Sequence, residues 1–258
     1  MAMNVGIIGL GIMGGAFAKN LIEAGLNVTG YDIVADNVEA LVALGGTGAK
    51  SPKAAVDDAE VVITSLPSEA AFSQVVHGAN SLLSANKDGL IVIETSTLPI
   101  EAKTEARDTL GKGGTILLDC PISGTGAQAV NRDLVVYGSG DEDAFNTCSP
   151  VFEGIARSNY YVGEFGNGSR MKYVANLLVH IHNVASAEAL VLGMKAGLNP
   201  EMIYNVIKDG AGNSRIFELR GPMMVADNYD EATMKMDVWQ KDIGVITEFA
   251  AAMDCPTP

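Results

Sequence analysis

Lys172 and Asn176 stand four residues apart in a stretch whose apolar residues recur at helical spacing, so the two side chains share one helix face. A lysine and an amide on one face of an otherwise apolar helix need an explanation, because burying an unpaired ammonium is costly. A neutral lysine there could take the proton of a substrate hydroxyl. Desolvation would have to bring its pKa from about 10.4 towards about 7–8 for that role. The same spacing suits a surface lysine whose stem lies along apolar neighbours while the ammonium stays in water.

The partner for such proton chemistry is written near the N-terminus. Gly9-Leu10-Gly11-Ile12-Met13-Gly14 follows the apolar run Val5 to Ile8 and precedes Phe17, Leu21 and Ile22 at helical spacing. Asp32 ends a second apolar run eighteen residues beyond Gly14. A glycine pattern joining a strand to a helix, with an acid closing the next strand, is a dinucleotide-binding fingerprint. Gly9 makes the tight turn, Gly11 lets backbone approach a pyrophosphate, and Gly14 lets helix pack on strand. The pyrophosphate sits at the positive N-terminus of the helix. Asp32 accepts hydrogen bonds from a ribose diol and repels a 2′-phosphate, and Ile33 and Val34 offer no positive charge in its place. The cofactor expected is therefore NAD, with NADP disfavoured. A glycine-rich turn without ligand and a solvated turn aspartate are the plain alternatives.

A third group follows another strand: Asp119-Cys120-Pro121-Ile122-Ser123-Gly124-Thr125-Gly126. Its glycines free backbone N–H groups for an anion nest, and the Ser123 and Thr125 hydroxyls add donors suited to a small carboxylate. Loop chemistry alone favours an ordinary glycine-rich turn. Leu66-Pro67, Thr95-Ser96-Thr97 and Lys241-Asp242 read singly as two turns and a solvated charge pair. His180 and His182, two apart on a helix, face different directions and read as structural rather than as metal ligands. No HExxH, CxxC or GxSxG pattern occurs, so no metal site and no acyl-enzyme mechanism is expected.

These groups need elements to position them. Strand patterns at Val5–Gly9, Asn27–Tyr31, Val61–Ser65, Leu90–Glu94, Thr115–Asp119, Leu134–Gly138 and Asn159–Val162 alternate with helical ones around Gly14–Ala24, Ala35–Leu44, Glu69–His77, Ile100–Leu110 and Asp141–Phe152. Such alternation predicts an α/β fold, a Rossmann-type, mostly parallel sheet with ligands at the strands' carboxyl ends. It stops near Gly163. Asn167 or Ser169 then offers a cap for a long helix running from Arg170 to Gly197, apolar on most faces as if buried between two domains. Helices at Pro200–Asp209 and from Asp237 complete an all-helical part. The domains expected are 1–163, binding NAD, and 164–258, holding substrate and dimer contacts.

Composition narrows the partners. Among 258 residues, a net charge of −14 argues against nucleic acid and anionic membrane, and obliges an anionic substrate to find local positive donors. The three cysteines, Cys120, Cys148 and Cys255, lack metal-ligand spacing and point to a reducing cytoplasm. The apolar N-terminus has no basic segment before it, unlike a signal peptide. Met171 to Leu198 carries too many polar residues to read as a bilayer span.

Taken together, GLGIMGGAFAKNL (9–21), ETSTLP (94–99), DCPISGTGAQA (119–129), GEFGNGSRMKYVANLL (163–178) and QKDIG (240–244) resemble the β-hydroxyacid dehydrogenase family, in the 6-phosphogluconate dehydrogenase superfamily, over almost the whole chain. The resemblance implies an NAD-dependent dehydrogenase of a small 3-hydroxy acid, cytoplasmic, forming a homodimer or homotetramer. It implies that Lys172 is the catalytic lysine and Asn176 its companion. Ser123, Gly124 and Thr125 would hold the substrate carboxylate. Leu66, Pro67 and Thr97 would line the cofactor, and Lys241 would close the cofactor–substrate site. Three residues depart from the family pattern: Thr125 stands where it has glycine, implying a narrower pocket, Ala175 replaces an asparagine, and Ala71 another. The family usually continues past Pro258, so a truncated helical part is expected. A 6-phosphosugar-acid dehydrogenase and a non-catalytic NAD-binding interaction module are the alternatives; the first needs a larger helical part, and the second tends to lose the lysine kept here.

Overall fold

The computed structural model describes residues 2–227 and 236–257. Its strands are β1 (Asn4–Ile8), β2 (Asn27–Tyr31), β3 (Thr47–Gly48), β4 (Val61–Thr64), β5 (Ile91–Glu94), β6 (Ile116–Asp119), β7 (Ile122–Ser123), β8 (Val135–Gly138) and β9 (Ser158–Tyr161). Its helices are α1 (Ile12–Glu23), α2 (Ala35–Ala43), α3 (Pro52–Val56), α4 (Glu69–His77), α5 (Leu82–Ala85), α6 (Ile100–Gly111), α7 (Gly126–Val130), α8 (Glu142–Thr147), α9 (Ser149–Ile155), α10 (Asn167–Lys195), α11 (Pro200–Lys208), α12 (Arg215–Val225) and α13 (Met236–Ala252). The chain divides into two compact units, Met1–Lys172 and Tyr173–Pro258.

In the first unit six parallel strands lie in the order β3-β2-β1-β4-β5-β6. The central strands are apolar on both faces because helices cover both. Alternate residues serve opposite cores, as the two-residue period of a strand demands. Val5, Ile7, Val61, Ile63, Ile91 and Ile93 pack with Phe17 and Leu21 of α1. Ile8, Val62 and Val92 pack on the other side with Phe72, Val75 and Val76 of α4. The strand order reverses between β1 and β4. In such sheets the crevice at that switch point, beyond the strands' carboxyl ends, is the ligand site.

Three expectations need correction here. The strand around 134–138 does not continue the main sheet. It forms a second sheet, β7-β8-β9, in which β7 runs antiparallel to β8 and β8 parallel to β9. Only Cys120 and Pro121 separate β6 from β7, far too few residues for a parallel crossover. The segment 141–152 is two helices rather than one. Asp141 caps α8 by accepting from Ala144 N at 2.8 Å, and Pro150, which has no N–H to donate, sits in the first turn of α9. Neither Asn167 nor Ser169 caps α10 with its own side chain; the acceptors come from other strands, as described below.

The second unit is helical. Asn199 caps α11 by accepting from Met202 N at 2.9 Å, and Ser214 caps α12 by accepting from Phe217 N at 3.0 Å. Leu190, Ile203 and Phe217 form its small core. Gly193 lets α11 approach α10, since a Cβ there would lie 2.5 Å from Ile203 Cδ1. The first half of α10 buries mostly polar residues. Lys172, Asn176 and His180, four residues apart, are buried, whereas Met171, Val174, Leu178 and Ile181 are exposed. The expectation of a helix covered on most faces therefore fails for the single chain. By length and composition alone α10 would pass as a bilayer span, contrary to the sequence reading, although its buried face is polar.

Candidate active site

The glycine loop between β1 and α1 separates internal packing from ligand space. Gly9 has φ +91°, and a Cβ on it would lie 2.2 Å from Ser65 O. Gly14 is pressed against the same turn, where a Cβ would lie 1.8 Å from Gly9 O. Both glycines are demanded by the fold itself. Gly11 is different: a Cβ there meets no protein atom within 4 Å. It is also the N-cap of the twelve-residue α1, with no side chain capping the first turn. An open backbone at the positive end of a helix fits a pyrophosphate, and so the loop fits a dinucleotide.

Asp32 organises the neighbouring turn. Its Oδ2 accepts from Leu10 N at 2.6 Å and its Oδ1 from Val34 N at 2.8 Å. The carboxylate is half-buried and tied to the glycine loop, which places it at the carboxyl end of β2. The loops after β4 and β5 are joined as well: Leu66 N donates to Ser96 Oγ at 2.8 Å, and Thr95 N to Thr64 O at 3.0 Å. Leu66, Pro67 and Thr97 thus lie on connected strand ends. The segment from Ser123 to Gly126 joins them, because Gly126 packs against the fingerprint residue Ile12, whose Cγ2 would be 2.2 Å from an added Cβ.

That segment differs in detail from a run of open N–H groups. Ser123 lies in β7, Gly124 has φ +137°, and Thr125 is the N-cap of α7. Thr125 N and the Thr125 hydroxyl both donate to Gln128 Oε1, at 3.1 and 3.3 Å, which closes the first turn of α7. The threonine that departs from the family pattern thus has a local structural task. Gly124 has one too: a Cβ on it would lie 2.3 Å from Leu134 Cδ2.

Beneath these loops lies a buried ionic cluster that sequence reasoning missed. Lys103 from α6, Glu94 at the end of β5 and Asp119 at the end of β6 are all fully buried. Lys103 Nζ donates to Asp119 Oδ1 at 2.8 Å and to Ser96 O at 2.7 Å, with Glu94 Oε1 at 3.9 Å. Glu94 accepts from Ser96 N at 2.6 Å and from the Thr64 hydroxyl. Burial raises the Glu94 pKa above its ordinary 4.5, against the opposing pull of Lys103 and of these hydrogen bonds. Burial, reinforced by the Asp119 charge, also pushes the neighbouring Cys120 thiol well up, so it stays protonated. The available signal was that two strands closing the ligand edge end in acids, Glu94 and Asp119, with a lysine on the intervening helix.

Asp119 also receives α10. Its Oδ2 accepts from Ser169 N at 2.7 Å and its Oδ1 from Ser169 Oγ at 2.8 Å. Lys172 follows one turn later and is 7% exposed, which removes the reading of a solvent-borne ammonium.

In the second unit the structure brings Asn176 to Asp242 and Lys241. Asn176 Nδ2 donates to Asp242 Oδ2 at 3.2 Å, and Lys241 Nζ lies 3.2 Å from Asp242 Oδ1. Asp242 is buried, so the pair is not simply solvated. His180 meets the Trp239 ring edge-on at 4.5 Å, and the Arg220 guanidinium covers the same indole at 5.2 Å. Among the described residues no cluster of His, Cys, Asp or Glu has the arrangement of a metal site.

Comparison with known proteins gives this geometry its family. Residues 4–163 match the model of the NAD binding domain of 6-phosphogluconate dehydrogenase. Residues 166–258 match that described as NAD-binding of NADP-dependent 3-hydroxyisobutyrate dehydrogenase. L-threonate dehydrogenase of Cupriavidus necator is 32% identical, across 100% of this chain and 87% of that protein. 2-(Hydroxymethyl)glutarate dehydrogenase of Eubacterium barkeri is 30% identical, across 100% of this chain and 85% of that protein. A crystal structure of 3-hydroxyisobutyrate dehydrogenase from Salmonella typhimurium superposes with a TM-score of 0.87 at 30% identity, covering 99% of this chain and 90% of the other.

Proposed function

This chain belongs to the β-hydroxyacid dehydrogenase family, and on that premise we propose that it reversibly oxidises the hydroxyl of a small 3-hydroxy acid, with NAD preferred over NADP. The observation that carries this reading is Lys172, a lysine only 7% exposed, one helical turn before the buried Asn176. A lysine held out of water at this position is placed to exchange a proton with a bound hydroxyl.

Bound NAD supplies the hydride acceptor. Gly9, Leu10, Gly11, Ile12, Met13 and Gly14 would hold its pyrophosphate, Asp32 its adenine ribose, and Leu66, Pro67 and Thr97 its nicotinamide half. Lys172 Nζ, in its neutral form, takes the proton from the substrate hydroxyl as the carbonyl forms, and returns it in the reverse direction. Asn176, whose amide donates to Asp242, positions Lys172 or the hydroxyl. Ser123 and Gly124, with Thr125 as their structural anchor and Lys241 from the last described helix, receive the carboxylate. The names of the relatives favour the same class, since threonate, hydroxymethylglutarate and hydroxyisobutyrate are all short hydroxy acids.

The protein is proposed to act in the cytoplasm as a homodimer or homotetramer. The exposed stripe of Met171, Val174, Leu178 and Ile181 on α10 supports association, because isolated chains rarely leave such a contiguous apolar row in water. Light scattering should give at least twice the chain mass, and a monomer would refute it. The function itself is tested by NADH formation from a panel of 3-hydroxy acids, each paired with an alcohol of matched size. With a net charge of −14, an anion is accepted only through local donors, which an uncharged analogue leaves unpaired. The acid should win in kcat/KM by at least about 100-fold. Equal efficiency for acid and alcohol would refute carboxylate recognition.

A further inference from the structure

The start of α10 is built in an unusual way. A helix is ordinarily capped by the residue just before it, because a nearby Ser, Thr, Asp or Asn is enough to satisfy the first N–H groups. Here the acceptors come from two distant strand ends. Gly168 N donates to Ser139 Oγ at 2.9 Å, and Ser169 N donates to Asp119 Oδ2 at 2.7 Å. Ser139 and Asp119 hold each other in turn through backbone bonds of 2.9 and 3.0 Å. Gly168 has no room for a side chain, since a Cβ would lie 2.4 Å from Tyr137 O and 2.5 Å from Asp119 O. A local cap would stabilise the helix equally well. What the remote acceptors add is a fixed location for the helix start.

We infer that the buried Lys103–Asp119–Ser169 cluster is a positioning device that sets Lys172 relative to the cofactor-lining loops. The inference rests on the role proposed above for Lys172. Ser169 precedes Lys172 by three residues, less than one turn, so the height and rotation of Lys172 follow from the Ser169–Asp119 contact. The same Asp119 oxygen that accepts the Ser169 hydroxyl at 2.8 Å accepts Lys103 Nζ at 2.8 Å. Lys103 in turn donates to Ser96 O at 2.7 Å, and Ser96 Oγ holds Leu66 N at 2.8 Å. One buried carboxylate thereby refers the helix that carries the lysine to the loops that carry Leu66 and Thr97. Lys103, Asp119 and Ser139 are fully buried and Ser169 is 1% exposed, so solvent does not compete for these bonds. None of these residues is proposed to touch substrate.

The test uses Ser169→Ala, Ser169→Thr and Asp119→Asn in the full chain, with activity normalised to NADH-binding sites counted by fluorescence titration. Ser169→Ala and Asp119→Asn should each lower kcat per site about 10- to 100-fold, the order expected for an ångström-scale misplacement. The Kd for NADH should stay within about twofold, and Ser169→Thr, which keeps the hydroxyl, should recover kcat to within about threefold of wild type. Because Ser169 acts through Lys172, Ser169→Ala should add no further loss to Lys172→Ala. A purely structural role would lower the count of NADH-binding sites and leave kcat per site unchanged. That result, or independent losses that multiply in the double variant, overturns the inference. Lys172→Ala separates the two claims. If it is inactive while Ser169→Ala is undiminished per site, only the positioning role falls. If Lys172→Ala keeps its kcat, the reading of the lysine falls and takes this inference with it.

Discussion

Gly11→Ala should weaken NADH binding without weakening the fold, and the structure sets the size of both effects. An alanine Cβ at position 11 meets no protein atom within 4 Å, and φ at this residue is −64°, which alanine adopts without strain. The denaturation midpoint in urea should therefore move by no more than the scatter of a surface substitution, about 0.5 kcal/mol. The new methyl instead occupies the space above the uncapped first turn of α1, where the pyrophosphate would accept from backbone N–H groups. Losing one such bond to a charged group costs about 1.5–3 kcal/mol, equivalent to roughly 10- to 150-fold in Kd. Gly14→Ala is the internal control, since its Cβ would lie 1.8 Å from Gly9 O. It should cost about 1–3 kcal/mol by overpacking and lower Tm by about 2–4 °C for each of them. Fluorescence titration of NADH and urea melts on both variants make the comparison. An unchanged NADH Kd in a well-folded Gly11→Ala protein would refute the assignment of this loop to the pyrophosphate.

Two further outcomes follow from the same geometry. Replacing Asp32 by Asn and Ile33 by Arg should shift preference towards NADP, by removing a repulsion and adding a phosphate partner; a wild-type protein with higher kcat/KM for NADP would sink the ribose argument. Burial raises the Glu94 pKa above its ordinary 4.5, so the folded state holds that proton more tightly than the unfolded chain does. Stability must then fall as pH rises from 4.5 through the raised pKa, and Glu94→Gln, with no proton to lose, should lack that decline. Urea melts of both proteins between about pH 4 and 7 should show wild type losing ground to the variant as pH rises, and parallel curves would show that Lys103 compensates the buried charge in full.

The main sheet was legible because it rests on local patterns. Central parallel strands are buried on both faces, so β1, β4 and β5 appear as apolar runs closed by glycine, serine or an acid. The fingerprint loop was legible for the same reason, since Gly9 and Gly14 are required by contacts within a few residues or with an adjacent strand. What escaped was non-local. The pairing of β7 with β8 joins residues on either side of α7, and the two-residue β3 and β7 are too short to show a period. Local capping points to Asn167 and Ser169 for α10, but the acceptor Asp119 lies fifty residues away from Ser169. Asp242 looked solvated beside Lys241, and only the fold shows it buried against Asn176. The exposed stripe of α10 has the same composition as a core helix, so burial had to be seen rather than inferred.

The claim on which the account depends is that Lys172 moves the proton of the substrate hydroxyl. The most direct test is kcat for Lys172→Ala on whichever hydroxy acid of the panel is turned over best, with NADH affinity measured on the same preparation. Removing a general acid–base group costs about 10²–10⁴-fold in rate, while the glycine loop and Asp32 that hold the cofactor are untouched. For Lys172→Ala, kcat should fall within that range and the NADH Kd should stay within about twofold of wild type. A variant that folds, binds NADH and keeps its kcat would contradict it.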